Sequence, residues 1–238
     1  MNRASGIFGS LVSFDLETTG LCVAQGREVE AIQIGAVMLD QATLVPSSVR
    51  FERKLRIEHP ERIEDGVLGK WNHFDQETWD REAVSQRQGW QDFADWLFAQ
   101  PAAGGVVKPR FLGQNIGKFD YPLTMSWCSH FGINLHHDYH LVDYTTAFDV
   151  FKRLANVQRW GLSLERDACP TFGLSNPKAH DALADAVTCG LCFALQQAWL
   201  TALVEVGQGH QPEAYLEEAY RRIGHPRVAG IEPLRSLR

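Results

Sequence analysis

The chain has 238 residues, 45% hydrophobic and 22% charged, with a formal net charge of −6. That is the composition of an ordinary globular protein long enough for one α/β domain, and the acidic balance argues against a broad basic face that wraps duplex DNA. Any nucleic-acid contact is expected to involve few nucleotides or to be mediated by bound cations.

The five cysteines are an odd, scattered set, which argues against a disulfide framework. Cys189-Gly-Leu-Cys192 has redox spacing but falls in mid-helix, where core packing is the expectation. No apolar stretch looks as long as a membrane span. The N-terminal residues lead almost directly into the first strand, leaving no room for a signal peptide. A cytoplasmic protein without a membrane partner is therefore expected.

The first strand begins with the apolar run Ile7–Val12 and ends in Ser13-Phe-Asp-Leu-Glu-Thr-Thr-Gly20. Residues i and i+2 of a strand share a face, so Asp15 and Glu17 project side by side. A bare D-x-E suits an exposed strand end, but two adjacent carboxylates repel unless a cation sits between them. Glu30–Leu39 reads as a central strand, apolar on both faces, and Val49–Leu55 as a wetter third strand of an antiparallel meander. One helix is predicted from about Gln76 to Gln100, ending before Pro101. Trp71, Phe74 and Trp79 precede or open it, and either pack or stack on nucleobases.

Arg110–Asn115 is a short fourth strand, followed by a helix over Lys118–Phe131 with Pro122 in its first turn. Asp120 sits at that helix start, where an N-cap is one reading. His136 and His137 fall in a strand-like segment and point to opposite faces, so they do not share an ion. Leu141–Tyr144 is a fifth strand, followed by helices to about Ala155 and over Leu162–Phe172. The loop Gly173–His180 leads into the longest helix, about Asp181–Val206, whose paired apolar positions mark it as buried. Asp185 lies one turn inside it, and His180 just outside. Residues 1–206 thus form one domain, and 207–238 an appended polar helix and tail able to dock a protein partner or a second copy.

Asp15, Glu17, Asp120 and Asp185, with His180, collect at strand and helix ends. Hard oxygen ligands without sulfur suit Mg²⁺ or Mn²⁺, and two such ions about 3.5–4 Å apart clamp an in-line displacement at phosphorus. These residues resemble the motifs of the DEDDh 3′→5′ exonucleases: Phe14–Gly20 the first, Gly113–Asn115 through Phe119-Asp120 the second, and His180–Asp185 the third. Ile32–Ala36 is similar to that family's second strand. The resemblance spans about residues 10–200. It implies an α/β, RNase H-like fold, a mixed five-stranded sheet with helices on both faces, and release of nucleoside monophosphates from single-stranded DNA or RNA 3′ ends. It further implies that Asp15, Glu17 and Asp185 bind the catalytic ion, that Asp15 bridges to a second, and that Asp120 holds the second through water. His180 would be the general base, the Thr18-Thr19-Gly20 backbone would face the terminal nucleotide, and Asn115 would help to position the strand. Residues 72–79 depart from the connection usual in proofreading subunits, so no proofreading role is carried over.

Overall fold

A computed structural model describes residues 10–20, 29–64, 66–68, 72–100, 108–155, 157, 161–208 and 213–225. Five strands form one sheet in the order β3-β2-β1-β4-β5: β1 Leu11–Thr18, β2 Ala31–Leu39, β3 Pro46–Lys54, β4 Arg110–Gly113 and β5 Val142–Asp143. The first three pair antiparallel, while β4 and β5 join parallel to β1. The sheet is mixed and five-stranded, as the resemblance implies.

The alternation along β1 divides the core. Val12, Phe14 and Leu16 pack with Phe111 against Trp90, Phe93 and Leu97 of α2 (Gln86–Phe98) and Leu123 and Cys128 of α3 (Asp120–Phe131). Leu11 faces the other way, into a cluster with Phe148 and Phe151 of α4 (Tyr144–Leu154) and Cys189, Cys192 and Phe193 of the long helix, numbered α6 below. Asp15 and Glu17 share the parity of Leu11, and both are only partly buried in a strand that is otherwise covered. Helices therefore flank both faces, and the two acids lie on the face of the long helix.

Several boundaries differ from expectation. The helix over 76–100 is two: α1 (Gln76–Glu82) and α2, separated by extended residues at Ala83–Ser85. Val84 makes a parallel bridge to Leu55, its N–H donating to the Lys54 carbonyl at 3.1 Å. Ser85 then caps α2 by accepting the Gln88 N–H. Ala83 and Val84 fit a helical apolar pattern as well as a strand, so periodicity does not show this break. Leu162–Phe172 is a π-helical turn at Leu164–Ala168 running into the short α5 (Cys169–Thr171). His136 and His137 lie outside any strand; His137 Nε2 meets the Tyr121 hydroxyl at 3.0 Å.

The long helix α6 spans Ala182–Gly207. By length and composition it is apolar enough to cross a membrane, which corrects the expectation that no stretch is. Its Cys189, Cys192, Phe193 and Trp199 are buried in the core. The last described helix, α7 (Glu213–Arg222), buries Leu216 and Tyr220 in the same cluster, and the Tyr220 hydroxyl donates to the Phe172 carbonyl at 3.1 Å.

Candidate active site

The site forms where β1, α3 and α6 meet. Asp15 lies opposite Gly35 of β2 in the strand register. A Cβ on Gly35 would stand 2.1 Å from the Ala182 backbone, so glycine here lets the first turn of α6 lie directly on the sheet beside Asp15. Two bonds hold it there: Gln33 Oε1 accepts the Ala182 N–H at 3.3 Å, and the Ser13 hydroxyl donates to the Ala186 carbonyl at 2.6 Å. Asp181 is the N-cap, accepting the Ala184 N–H at 3.0 Å. Asp185, one turn on, is thereby aimed at the β1 acids.

Asp120 arrives differently. Pairing of β1 with β4 runs only to Ser13–Leu112, so Leu16 has no β4 carbonyl opposite it. Asp120 Oδ1 accepts the Leu16 N–H instead, at 3.1 Å. The cap position of α3 belongs to Phe119 and has no side-chain bond, so the N-cap reading of Asp120 is replaced by a tie to β1.

One ligand atom each from Glu17, His180 and Asp185 lies within 4.8 Å of the others. His180 has φ +69°, a left-handed conformation that costs a non-glycine residue on the order of 1 kcal/mol. Its N–H donates to Asp185 Oδ2 at 3.0 Å, and Asn176 Nδ2 donates to Asp185 Oδ1. Both oxygens of Asp185 are thus oriented by the loop that carries His180.

The charges explain what such a site requires. Burial, followed by the charges of Asp120, Asp185, Glu17 and Glu165, pushes Asp15 well above the usual carboxylate range. Burial and then the Asp185 and Asp120 charges push Glu17 up to about 9. Burial raises both Asp120 and Asp185 to about 7, against the lowering effect of their backbone hydrogen bonds. Four carboxylates pushed up by burial, two of them (Asp15 and Glu17) also by the charges of the others, with no sulfur among them, fit a hard divalent cation, whose charge offsets the burial and repulsion that otherwise favour their protonated forms.

The remaining expected residues lie around this centre. Thr18 and Thr19 are buried. Thr19 is engaged within the protein, its N–H donating to Glu30, its carbonyl accepting from Glu64 at 2.8 Å, and its hydroxyl accepting from the Glu30 N–H. Thr18 Oγ donates to the Gly20 carbonyl at 2.6 Å. Asn115 is exposed just beyond β4, at φ +54°, its N–H on Thr145 Oγ. Of the aromatics, Trp79 is buried and donates Nε1–H to the Ile32 carbonyl at 3.1 Å, with Phe74 packed against it at 5.0 Å. Trp79 is therefore a core residue rather than a stacking platform, and Trp71 lies outside the described residues. Sequence reasoning missed Asn176, whose signal is a side-chain amide at the head of the His180 loop. It also missed Glu165, half-buried on the π-helical turn and accepting from the Ser163 hydroxyl at 2.9 Å.

A family model described as RNase_T, exonuclease, matches residues 12–193. The chain belongs to this DEDD-type exonuclease family. Similar solved structures include E. coli Exonuclease I in complex with a dT13 oligonucleotide (15% identity, TM-score 0.67, covering 83% of this chain and 43% of that one). A zinc-bound Exonuclease I–ssDNA complex from E. coli matches comparably (16%, 0.67, 83% and 42%). So does a 3′-exonuclease described in 3′-end-specific recognition of a histone mRNA stem-loop (16%, 0.61, 83% and 66%). At these identities the likeness is one of fold, and the exonuclease spans less than half the length of the Exonuclease I chains. No curated protein sequence gives a significant match.

Proposed function

We propose that this exonuclease hydrolyses the terminal phosphodiester at the 3′ end of single-stranded nucleic acid, DNA in the first instance and RNA as well, releasing nucleoside monophosphates. The observation that carries the reading is the convergence of Glu17, His180 and Asp185 within 4.8 Å, next to two further acids from β1 and α3. The bound ligands of the similar structures, a DNA oligonucleotide in one and an RNA stem-loop in another, support a nucleic-acid 3′ end.

Asp15, Glu17, Asp185 and Asp120 would hold Mg²⁺ or Mn²⁺. Such ions, when bound, supply positive charge to the phosphoryl oxygens and the departing 3′ oxygen. His180, beside Glu17 and Asp185, takes the proton of the attacking water as that water closes on phosphorus. The P–O3′ bond breaks in line, and the departing oxygen is protonated from solvent. Asp185 holds its orientation through Asn176 and the His180 N–H, and Asp120 through the Leu16 N–H. Asn115, exposed just beyond β4, would help to position the last nucleotide, with the buried Thr18, Thr19 and Gly20 backing that side of the site. The acidic net charge favours a contact of few phosphates.

Digestion of 5′-labelled single-stranded DNA, RNA, blunt duplex and dinucleotides, each with Mg²⁺ and with EDTA, tests this. Stepwise shortening of single strands that stops in EDTA is expected. Cleavage indifferent to chelation, or internal fragments in place of a ladder, would refute the reading.

A further inference from the structure

Glu64, Asn72 and His73 lie along one side of the site. The Glu64 N–H donates to the Thr19 carbonyl at 2.8 Å, and Asn72 Nδ2 to the Thr18 carbonyl at 3.4 Å. Next to Asn72, His73 Nε2 lies 2.9 Å from the Ala179 carbonyl oxygen. A carbonyl only accepts, so Nε2 carries the hydrogen in this contact. Ala179 directly precedes His180.

The two bonds at this point act on a single peptide unit. In a trans peptide the C=O and N–H point in opposite directions. The C=O of the Ala179–His180 peptide is held by His73, and its N–H by Asp185 Oδ2 at 3.0 Å. The plane of that peptide is therefore gripped from both sides, and His180 leaves it at φ +69°. Other bonds of the loop, Ala179 N–H to Asn176 at 3.3 Å and Asp181 N–H to Lys178 at 3.1 Å, join it to itself. The His73 bond reaches across the site, from the wall behind Thr18 and Thr19 to the loop of the third motif.

We propose that His73 is a positioning residue: by holding the Ala179 carbonyl it fixes the peptide from which His180 projects, and keeps the imidazole beside Glu17 and Asp185. This rests on the reading of His180 as the base. His73 itself is exposed and belongs to neither the acids nor the base, so its loss should leave the fold and the carboxylates in place. A base moved by about an ångström loses up to about 100-fold in rate, within the roughly 10²–10⁴-fold that a general base contributes.

The test uses the full chain and two readouts. Hydrogen exchange over residues 176–181 needs no activity. It should quicken in His73→Ala and return towards wild type in His73→Gln, whose amide can donate to the same carbonyl. On single-stranded DNA, His73→Ala should lower kcat about 10-fold or more with KM within about twofold. Mn²⁺ affinity by calorimetry should stay at the wild-type value. In a His180→Ala background the same substitution should cause no further loss, because a residue acting through His180 has nothing left to position. Unchanged exchange over 176–181 in His73→Ala overturns the proposal whatever the activity. Equal losses in the wild-type and His180→Ala backgrounds, or a fall in Mn²⁺ affinity, overturn it too, by showing that His73 acts elsewhere. An inactive wild type with the expected exchange change would instead count against the nuclease reading alone.

Discussion

The unneutralised carboxylates should make the metal-free exonuclease lose stability as pH rises, and the size of that loss can be worked out. Glu17 moves from 4.5 in the unfolded chain to about 9 in the fold. Between those values the folded protein keeps a proton that the unfolded chain has released. Stability is therefore full below about pH 4.5 and falls as pH climbs towards 9, by about 1.4 kcal/mol per pH unit for one proton. From pH 5.5 to 8.5 that gives an upper bound of about 4 kcal/mol. Glu17 is only partly buried and solvent screens it, so about 2 kcal/mol is expected. For a chain of this length each kcal/mol is worth about 2–4 °C, so the melting temperature in EDTA should drop by about 4–8 °C over this window. Asp120 and Asp185, both raised to about 7, add to the decline on its acid side. Millimolar Mg²⁺ or Mn²⁺ should restore more at pH 8.5 than at 5.5, since protons compete for the same oxygens. Circular-dichroism melts across the pH series, with and without metal, read this directly. Glu17→Gln should make the slope shallower by Glu17's own share, about 4–8 °C over this window, while Asp15, Asp120 and Asp185 keep the rest of the decline. A melting temperature in EDTA that is level or rises with pH would refute the reasoning.

Asp15→Ala and Asp185→Ala should each abolish nucleotide release while melting in EDTA no lower than wild type, because each removes a charge its neighbours repel; near-normal turnover in either would remove it from the site. His180→Ala should be about 10²–10⁴-fold slower yet measurably more active than the aspartate variants; a wild-type rate would exclude the imidazole as base. Gly35→Val should push the first turn of α6 off the sheet, since even a Cβ meets the Ala182 backbone at 2.1 Å. Loss of Mn²⁺ binding by calorimetry should accompany its loss of stability, and an intact site in that variant would show that α6 is placed by other contacts. The rate on single strands should depend only shallowly on salt, and a steep slope would show a longer phosphate track than the acidic balance allows.

Much of this arrangement is local and therefore legible in the sequence. The strand period sets Asp15 and Glu17 on one face whatever the chain does elsewhere, and β1 leaves both on the α6 side. The apolar pairs of α6 report its burial, and its start falls at Asp181, whose side chain is a cap by chemistry. The five strands and their order along the chain follow from the same short-range patterns.

What only the tertiary structure decided are the contacts whose partners lie far apart in sequence, where no periodicity connects them. Asp120 reads equally as an N-cap until β4 is seen to stop at Gly113, leaving the Leu16 N–H for a carboxylate to take, 104 residues away. Ala83–Ser85 keeps a helical pattern, and the break exists because Val84 finds Leu55 and the Lys54 carbonyl. Trp79 near a site could stack on a base or fill the core, and the Ile32 carbonyl beneath it settles the choice. Asn176 offers only a side-chain amide at the head of its loop and His73 no local signature: each is an ordinary polar loop residue until folding sets it against Asp185 and the Ala179 carbonyl. Sequence determines which groups can bond and which face they share; which donor meets which acceptor depends on the close approach of α6 to β2, and that turns on the absent side chain of Gly35.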